Sequence, residues 1–130
     1  MPIGADRRTL LASLLTLAAA PGIACAAAAR EPFRPVGLWR FFHTDGSSFL
    51  ARLRADQFAT TDFGTGEVGI WRWEGDRVRA LFTDGWDDLL YALPGGGFRK
   101  SGWAPGADRC AAPSNDTAAV KLSDDPDGKG

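Results

Sequence analysis

Glu67-Val68-Gly69-Ile70-Trp71-Arg72-Trp73-Glu74, then Gly75-Asp76, then Arg77-Val78-Arg79-Ala80-Leu81-Phe82, is the stretch that decides the fold. Side chains of an extended strand point alternately to two faces, so residues two apart lie together. Trp71 and Trp73 therefore share one side with Arg72 opposite. Val78, Ala80 and Phe82 share a side with Arg77 and Arg79 opposite. On a helix the two tryptophans would diverge by roughly 200°. Gly75-Asp76 supplies the backbone freedom that a tight hairpin turn requires. The stretch predicts two antiparallel strands with an aromatic face and an arginine-bearing face.

The same alternation extends both ways, broken by turn formers at regular intervals from Gly37 to Trp103. It predicts strands at 37–43, 48–53, 57–61, 67–74, 77–82, 86–93 and 98–103, and a last one at 117–122. Trp39 and Phe41 fall inside, with Leu38 and Arg40 outside. Leu89, Tyr91 and Leu93 are expected to form one further inner row. Beyond the first thirty residues no long window has a helical period. The expected class is all-β, an antiparallel up-and-down meander of about eight short strands. A ribbon with one apolar face curls shut because closure removes exposed edges. A small barrel is the first expectation and a strongly curved sheet the second.

Val36-Gly37-Leu38-Trp39-Arg40-Phe41 returns as Val68-Gly69-Ile70-Trp71-Arg72-Trp73, and Thr44-Asp45-Gly46 returns as Thr83-Asp84-Gly85. Gly102-Trp103 is a shorter echo. The repeat is strand chemistry. Glycine lets the backbone bend or approach a neighbour, tryptophan two residues later fills the core, and arginine points out.

The N-terminus has a basic start, an apolar run from Leu10 to Ala20, and small residues up to Ala29, the layout of an export signal. Arg7-Arg8-Thr9-Leu10-Leu11 resembles the twin-arginine (Tat) export signal of bacteria, with Arg7, Arg8, Leu10 and Leu11 at the matching positions. Asp6 and Ala12 depart from that pattern, and an ordinary Sec signal fits the same layout. Either route implies the export machinery and signal peptidase as partners and a periplasmic or secreted location. Cleavage is expected at Ala24-Cys25-Ala26, or as late as residue 29. Lipid attachment at Cys25 is the alternative, although Gly22 stands where a Leu-like residue is usual. The apolar run is too short for a transmembrane span. The plan is a signal at 1–26, an extended arm at 27–35, a β domain at 36–122 and a disordered acidic tail at 123–130.

Cleavage after Ala26 leaves 104 residues of the 130, enough for one domain. It removes Asp6, Arg7 and Arg8, so 15 of the 16 acidic and 13 of the 15 basic residues remain. Without a basic excess, nucleic acid is not an expected partner. Cys110 is left without a partner, so no disulfide framework is expected. One histidine and one cysteine cannot make a zinc site, and no glycine loop precedes a helix to grip phosphate. Asp124-Asp125-Pro126-Asp127-Gly128 lacks the closing glutamate of a calcium loop. Neither cofactor nor metal is expected.

His43, Asp45 and Ser47 or Ser48 share one hairpin turn, where an oriented triad has no room. Asp84, Asp87 and Asp88 gather around Trp86, and a hydrolase would need such carboxylates facing a cleft. No catalytic residue is assigned. The candidate ligand-binding or core aromatics are Trp39, Phe41, Trp71, Trp73 and Tyr91, with Phe58 and Phe82 in the same row.

Gly37-Leu38-Trp39, ahead of a meander of this length, resembles the opening of lipocalin and avidin-type barrels. The resemblance implies an up-and-down barrel from Gly37 to Leu122 with Trp39 plugging one end. In lipocalins a late arginine packs on that tryptophan, for which Arg99 and Arg109 are the late candidates. It also implies ligand binding. The resulting expectation is a non-catalytic binding module for a small apolar ligand or an envelope protein. The alternatives are a protease-inhibitor-like barrel with Ala27 to Pro35 as its arm, a small hydrolase using Asp84–Asp88, and a structural accessory subunit with an apolar outer wall.

Overall fold

The computed structural model describes residues 33–129. The export signal, its cleavage positions Ala24 and Ala26, and most of the arm lie outside those residues. The described chain is all β: β1 (Gly37–Phe42), β2 (Ser48–Leu53), β3 (Phe58–Thr61), β4 (Glu67–Glu74), β5 (Arg77–Phe82), β6 (Asp87–Ala92), β7 (Phe98–Trp103) and β8 (Asn115–Ser123). Each strand pairs antiparallel with the next, and β8 returns to β1, which closes the barrel. β2, β4, β5 and β7 start and stop where the alternation does. β8 begins two residues earlier than the alternation suggests.

Local turn chemistry sets the meander. Four of the hairpins share one geometry. At the β1–β2 turn the His43 N–H donates to the Ser47 carbonyl (2.8 Å) and the Gly46 N–H to the His43 carbonyl (3.1 Å); the turns at Arg54, Phe82 and Leu93 repeat it. The fourth residue of each turn has positive φ: Gly46, Gln57, Gly85 and Gly96. This is the three-residue hairpin whose last position is left-handed. Asp45 and Asp84 each accept a backbone N–H two residues on, from Ser47 and Trp86. The Thr-Asp-Gly repeat is thus a turn signature.

The Gly-x-Trp repeat marks where neighbouring backbones meet. A Cβ on Gly37 would stand 2.3 Å from the Ser123 carbonyl oxygen, and one on Gly69 would stand 2.0 Å from that of Leu81. Two residues on, the Trp39 indole N–H donates to the Pro35 carbonyl (2.9 Å) and that of Trp71 to the Arg54 carbonyl (2.8 Å). A buried indole needs such a partner. At this end Phe33 packs against Trp39, Trp73 and Phe98, with ring centroids 5.1 to 6.2 Å away. Phe41, Leu53, Ala59, Val78 and Leu90 continue the core.

Two expectations need correction. Register places Leu90 opposite Val78 and Asp88 opposite Ala80. Asp88 and Leu90 therefore face inward, and Leu89 and Tyr91 face outward. Asp87 to Leu90 are buried on both faces, so alternation carries no parity there, and Tyr91 was an outer aromatic. Its hydroxyl donates to Asp116 (2.6 Å), and the Arg77 guanidinium lies 4.8 Å from its ring. The acidic tail expected to be disordered is instead docked: Ser123 ends β8, Asp124 pairs with Lys121 (2.7 Å), and Asp127 pairs with Arg54 (3.0 Å). Lys121 at the end of β8 and Arg54 from the β2–β3 turn neutralise it.

Replacing Gly69 with alanine should force β4 and β5 apart. We expect a loss of roughly 3 kcal/mol and a fall in Tm on the order of 10–20 °C. Gly95 has open space around it, so Gly95→Ala should stay within about 0.5 kcal/mol of the parent. Thermal unfolding of the two variants checks the contrast.

Candidate functional site

The end opposite the plug is open. The connections after β1, β3, β5 and β7 converge there, and a small cleft of about 40 Å³ enters the barrel. Its walls are aromatic: Phe49, Phe63, Trp86 and His43. The Phe49 and Phe63 centroids are 5.3 Å apart, Phe63 and Trp86 meet edge-on at 6.5 Å, and His43 leans on both phenylalanines. Its floor is polar, made by Glu67, Asp88, Lys100 and Asn115.

Each floor residue sits at an inward position of its strand. Glu67 starts β4 opposite Thr61, whose hydroxyl donates to Glu67 Oε1 (2.7 Å). Asp88 lies opposite Gly102. A Cβ on Gly102 would come within 2.9 Å of Asp88 Oδ1 and 2.8 Å of Asn115 Oδ1. The missing side chain is what lets these polar groups gather. Lys100 is 3% exposed; its Nζ donates to Asn115 Oδ1 (3.3 Å) and stands 3.6 Å from Asp88 Oδ1. The ammonium also lies 5.7 and 5.8 Å from the Phe49 and Phe41 ring centroids, where the ring faces favour a cation.

The floor is under-satisfied. Glu67 Oε2, Asp88 Oδ1 and Thr117 Oγ1 are buried without a hydrogen-bond partner. Such orphans carry a desolvation cost of about 1–3 kcal/mol each. Burial, with Asp84 close by, pushes the Glu67 carboxyl up to about 8. Burial pushes Asp88 up to about 6, with the Lys100 ammonium opposing the rise. Two carboxyls with separated titrations beside a lysine form a site that can accept hydrogen bonds and hold a proton.

The expected aromatic row distributes differently. Trp39, Phe41 and Trp71 pack solid in the core. Trp73 is 47% exposed at the rim of the plugged end, and Tyr91 lies outside. The Asp84–Asp88 cluster divides: Asp84 stays in its turn, and Asp88 enters the cleft beside Trp86. Asp87 points outward to Arg79 and Arg109 (2.6 Å each). Burial works against it, yet those two guanidiniums hold the Asp87 carboxyl below its usual range. Ser47 donates to Asp45 (2.7 Å) within their own turn, while His43 stacks on the phenylalanines, so no triad assembles from them. The late cation against Trp39 is Lys121, 5.8 Å from the ring; Arg99 bonds Asp116, and Arg109 lies over Trp103.

Glu67, Lys100 and Asn115 were not singled out as site residues. A signal existed for two of them. Glu67 shares the face of Trp71, and Lys100 shares the face of Phe98 and Gly102; a charge on an inner face points to a buried polar site. Among the described residues no group of three or more His, Cys, Asp or Glu side chains is placed to hold a metal ion, and no helix is long and apolar enough to cross a membrane. No protein family, curated protein or solved structure matches this chain.

An acid whose folded-state pKa exceeds its unfolded value stabilises the fold while protonated. That stability is lost as pH rises between the two values. For Glu67 the window runs from 4.5 to about 8, and Asp88 acts in the same direction from 3.8 to about 6. Tm should therefore be highest near pH 5 and fall toward pH 8. Glu67→Gln keeps the Thr61 contact and removes the main titration, so its profile should be flatter and its Tm at pH 8 higher. A variant as steeply pH-dependent as the parent would show that the dependence arises elsewhere.

Proposed function

We propose that this protein is an exported, non-catalytic binding module that takes a small ligand into the open end of its barrel. One observation carries the reading: an aromatic mouth leads to a buried floor on which two carboxylate oxygens accept no hydrogen bond. A bound molecule would supply the donors that the fold leaves out. The enclosed space of the cleft, about 40 Å³, is far below the roughly 300–1,000 Å³ usual for drug-sized ligands. The ligand is therefore small, with an apolar body against Phe49, Phe63 and Trp86 and a polar end directed inward. The resemblance of Gly37-Leu38-Trp39 to lipocalin and avidin-type barrels supports the same role. Arg7, Arg8, Leu10 and Leu11 support export by the Tat or Sec route to a periplasmic or secreted location.

Binding is favoured over hydrolysis by the surroundings of the acids. Lys100 beside Asp88 and Thr61 on Glu67 engage the carboxyls that a hydrolase would need free. A second reading, docking onto an envelope protein, draws on a different surface. Phe58, Val68 and Ile70 are 58%, 56% and 48% exposed on the outer wall of β3 and β4, with Phe58 directly opposite Ile70.

Native mass spectrometry of the protein from its own envelope fraction tests the two readings. Retention of a small molecule by the parent, and its loss from Phe63→Arg, which fills the mouth, supports the binding module. A co-purifying protein released by Ile70→Asp, with no small molecule retained, supports the docking reading instead.

A further inference from the structure

Resting on that reading, we infer that the inner end of the ligand is a small ammonium group, seated against Glu67 Oε2 and Asp88 Oδ1 beneath the rings of Phe49, Phe63 and Trp86. Glu67 Oε2 accepts no hydrogen bond, and Asp88 Oδ1 has only the Lys100 ammonium 3.6 Å away, beyond hydrogen-bond reach. Both are carboxylate oxygens that can only accept when ionised, and their residues are 6% and 4% exposed. The third orphan, Thr117 Oγ1, lies across from Lys100 on β8. The complementary group must donate several hydrogen bonds from one small centre, which an ammonium does.

Charge gives the same answer. Glu67 from β4 and Asp88 from β6 line this space, with Asp84 of the β5–β6 turn close to Glu67, and the one buried cation among the floor residues is Lys100 from β7. Asn115 is neutral, and His43 stacks at the mouth. Asp87, the neighbouring acid, is already matched outside by Arg79 and Arg109. Two lining carboxyls and a third close by, against one ammonium, leave room for a second cation. An anion would meet these oxygens, because Lys100 is already engaged by Asn115 and Asp88. A metal ion is disfavoured because no three acidic, histidine or cysteine side chains among the described residues are placed to hold one. The aromatic mouth adds the ring-face attraction that organic cations exploit.

Proton balance follows. The free protein holds a proton on Glu67 near neutral pH, as burial beside Asp84 dictates. When the ammonium arrives, the Glu67 O–H bond breaks, the proton leaves to buffer, and ammonium N–H groups donate to the carboxylate. Near neutral pH, uptake of the amine is therefore coupled to release of close to one proton. Affinity rises from pH 6 to pH 8.

The test uses the protein purified from its host and three probes of one shape: benzylamine, benzyl alcohol and benzoate. Trp86 fluorescence and calorimetry read binding. Benzylamine should bind about tenfold or more tighter than benzyl alcohol, and benzoate should be weakest. Calorimetry in two buffers of different ionisation enthalpy should show proton release with benzylamine alone. Glu67→Gln should abolish both the amine preference and the proton release while still binding benzyl alcohol; Asp88→Asn is the second variant should the first unfold. Equal binding of benzylamine and benzyl alcohol, or preference for benzoate, overturns the ammonium inference and leaves the binding module standing. Failure of all three probes to bind overturns both.

Discussion

Eight strands closed into a ring enclose a space that side chains alone can fill. Every inward position is therefore a choice about how that interior is filled. The chain spends its largest side chains at one end, where Trp39 and Trp71 lie flat with their indole N–H groups on the Pro35 and Arg54 carbonyls. Phe33, from the segment before β1, completes that plug. Having filled one end with rings, the barrel narrows to alanines and leucines in the middle and opens at the other end.

The close approach of strands depends on glycine where a Cβ would strike a carbonyl. Gly37 permits the seam with β8, and Gly69 permits the sharp coiling of β4 on β5. Gly102 has a different use, because the atoms it admits are Asp88 Oδ1 and Asn115 Oδ1. One residue type thus closes the wall in two places and opens a polar recess in a third. The recess opposes stability, since buried carboxyls without partners favour the unfolded chain. A bound molecule of the kind proposed would offset that cost.

The strands were legible because alternation and turn chemistry are local. Arg77 to Phe82 alternates cleanly and is a strand with the predicted face inside. Thr-Asp-Gly read as a turn and is one, twice. Asp87 to Leu90 was illegible in the same terms. Acidic and leucine residues fall on both its faces, and loop 104–114, through Arg109, covers the outer one. The tail from Asp124 differs for a related reason: composition shows its charge, while the Arg54 that pairs with Asp127 comes from the β2–β3 turn, far off in the chain.

The sequence by itself determined the strand order, the turn positions, the inward Trp39 and Trp71 and the all-β class, because each depends on residues a few positions apart. Only the tertiary structure decided that Glu67, Asp88 and Lys100, from three different strands, share one recess under Phe49, Phe63 and Trp86. That grouping depends on which strands meet across a closed ring and at what register. Register is a sum of pairings around the whole barrel, and no single stretch of chain contains it.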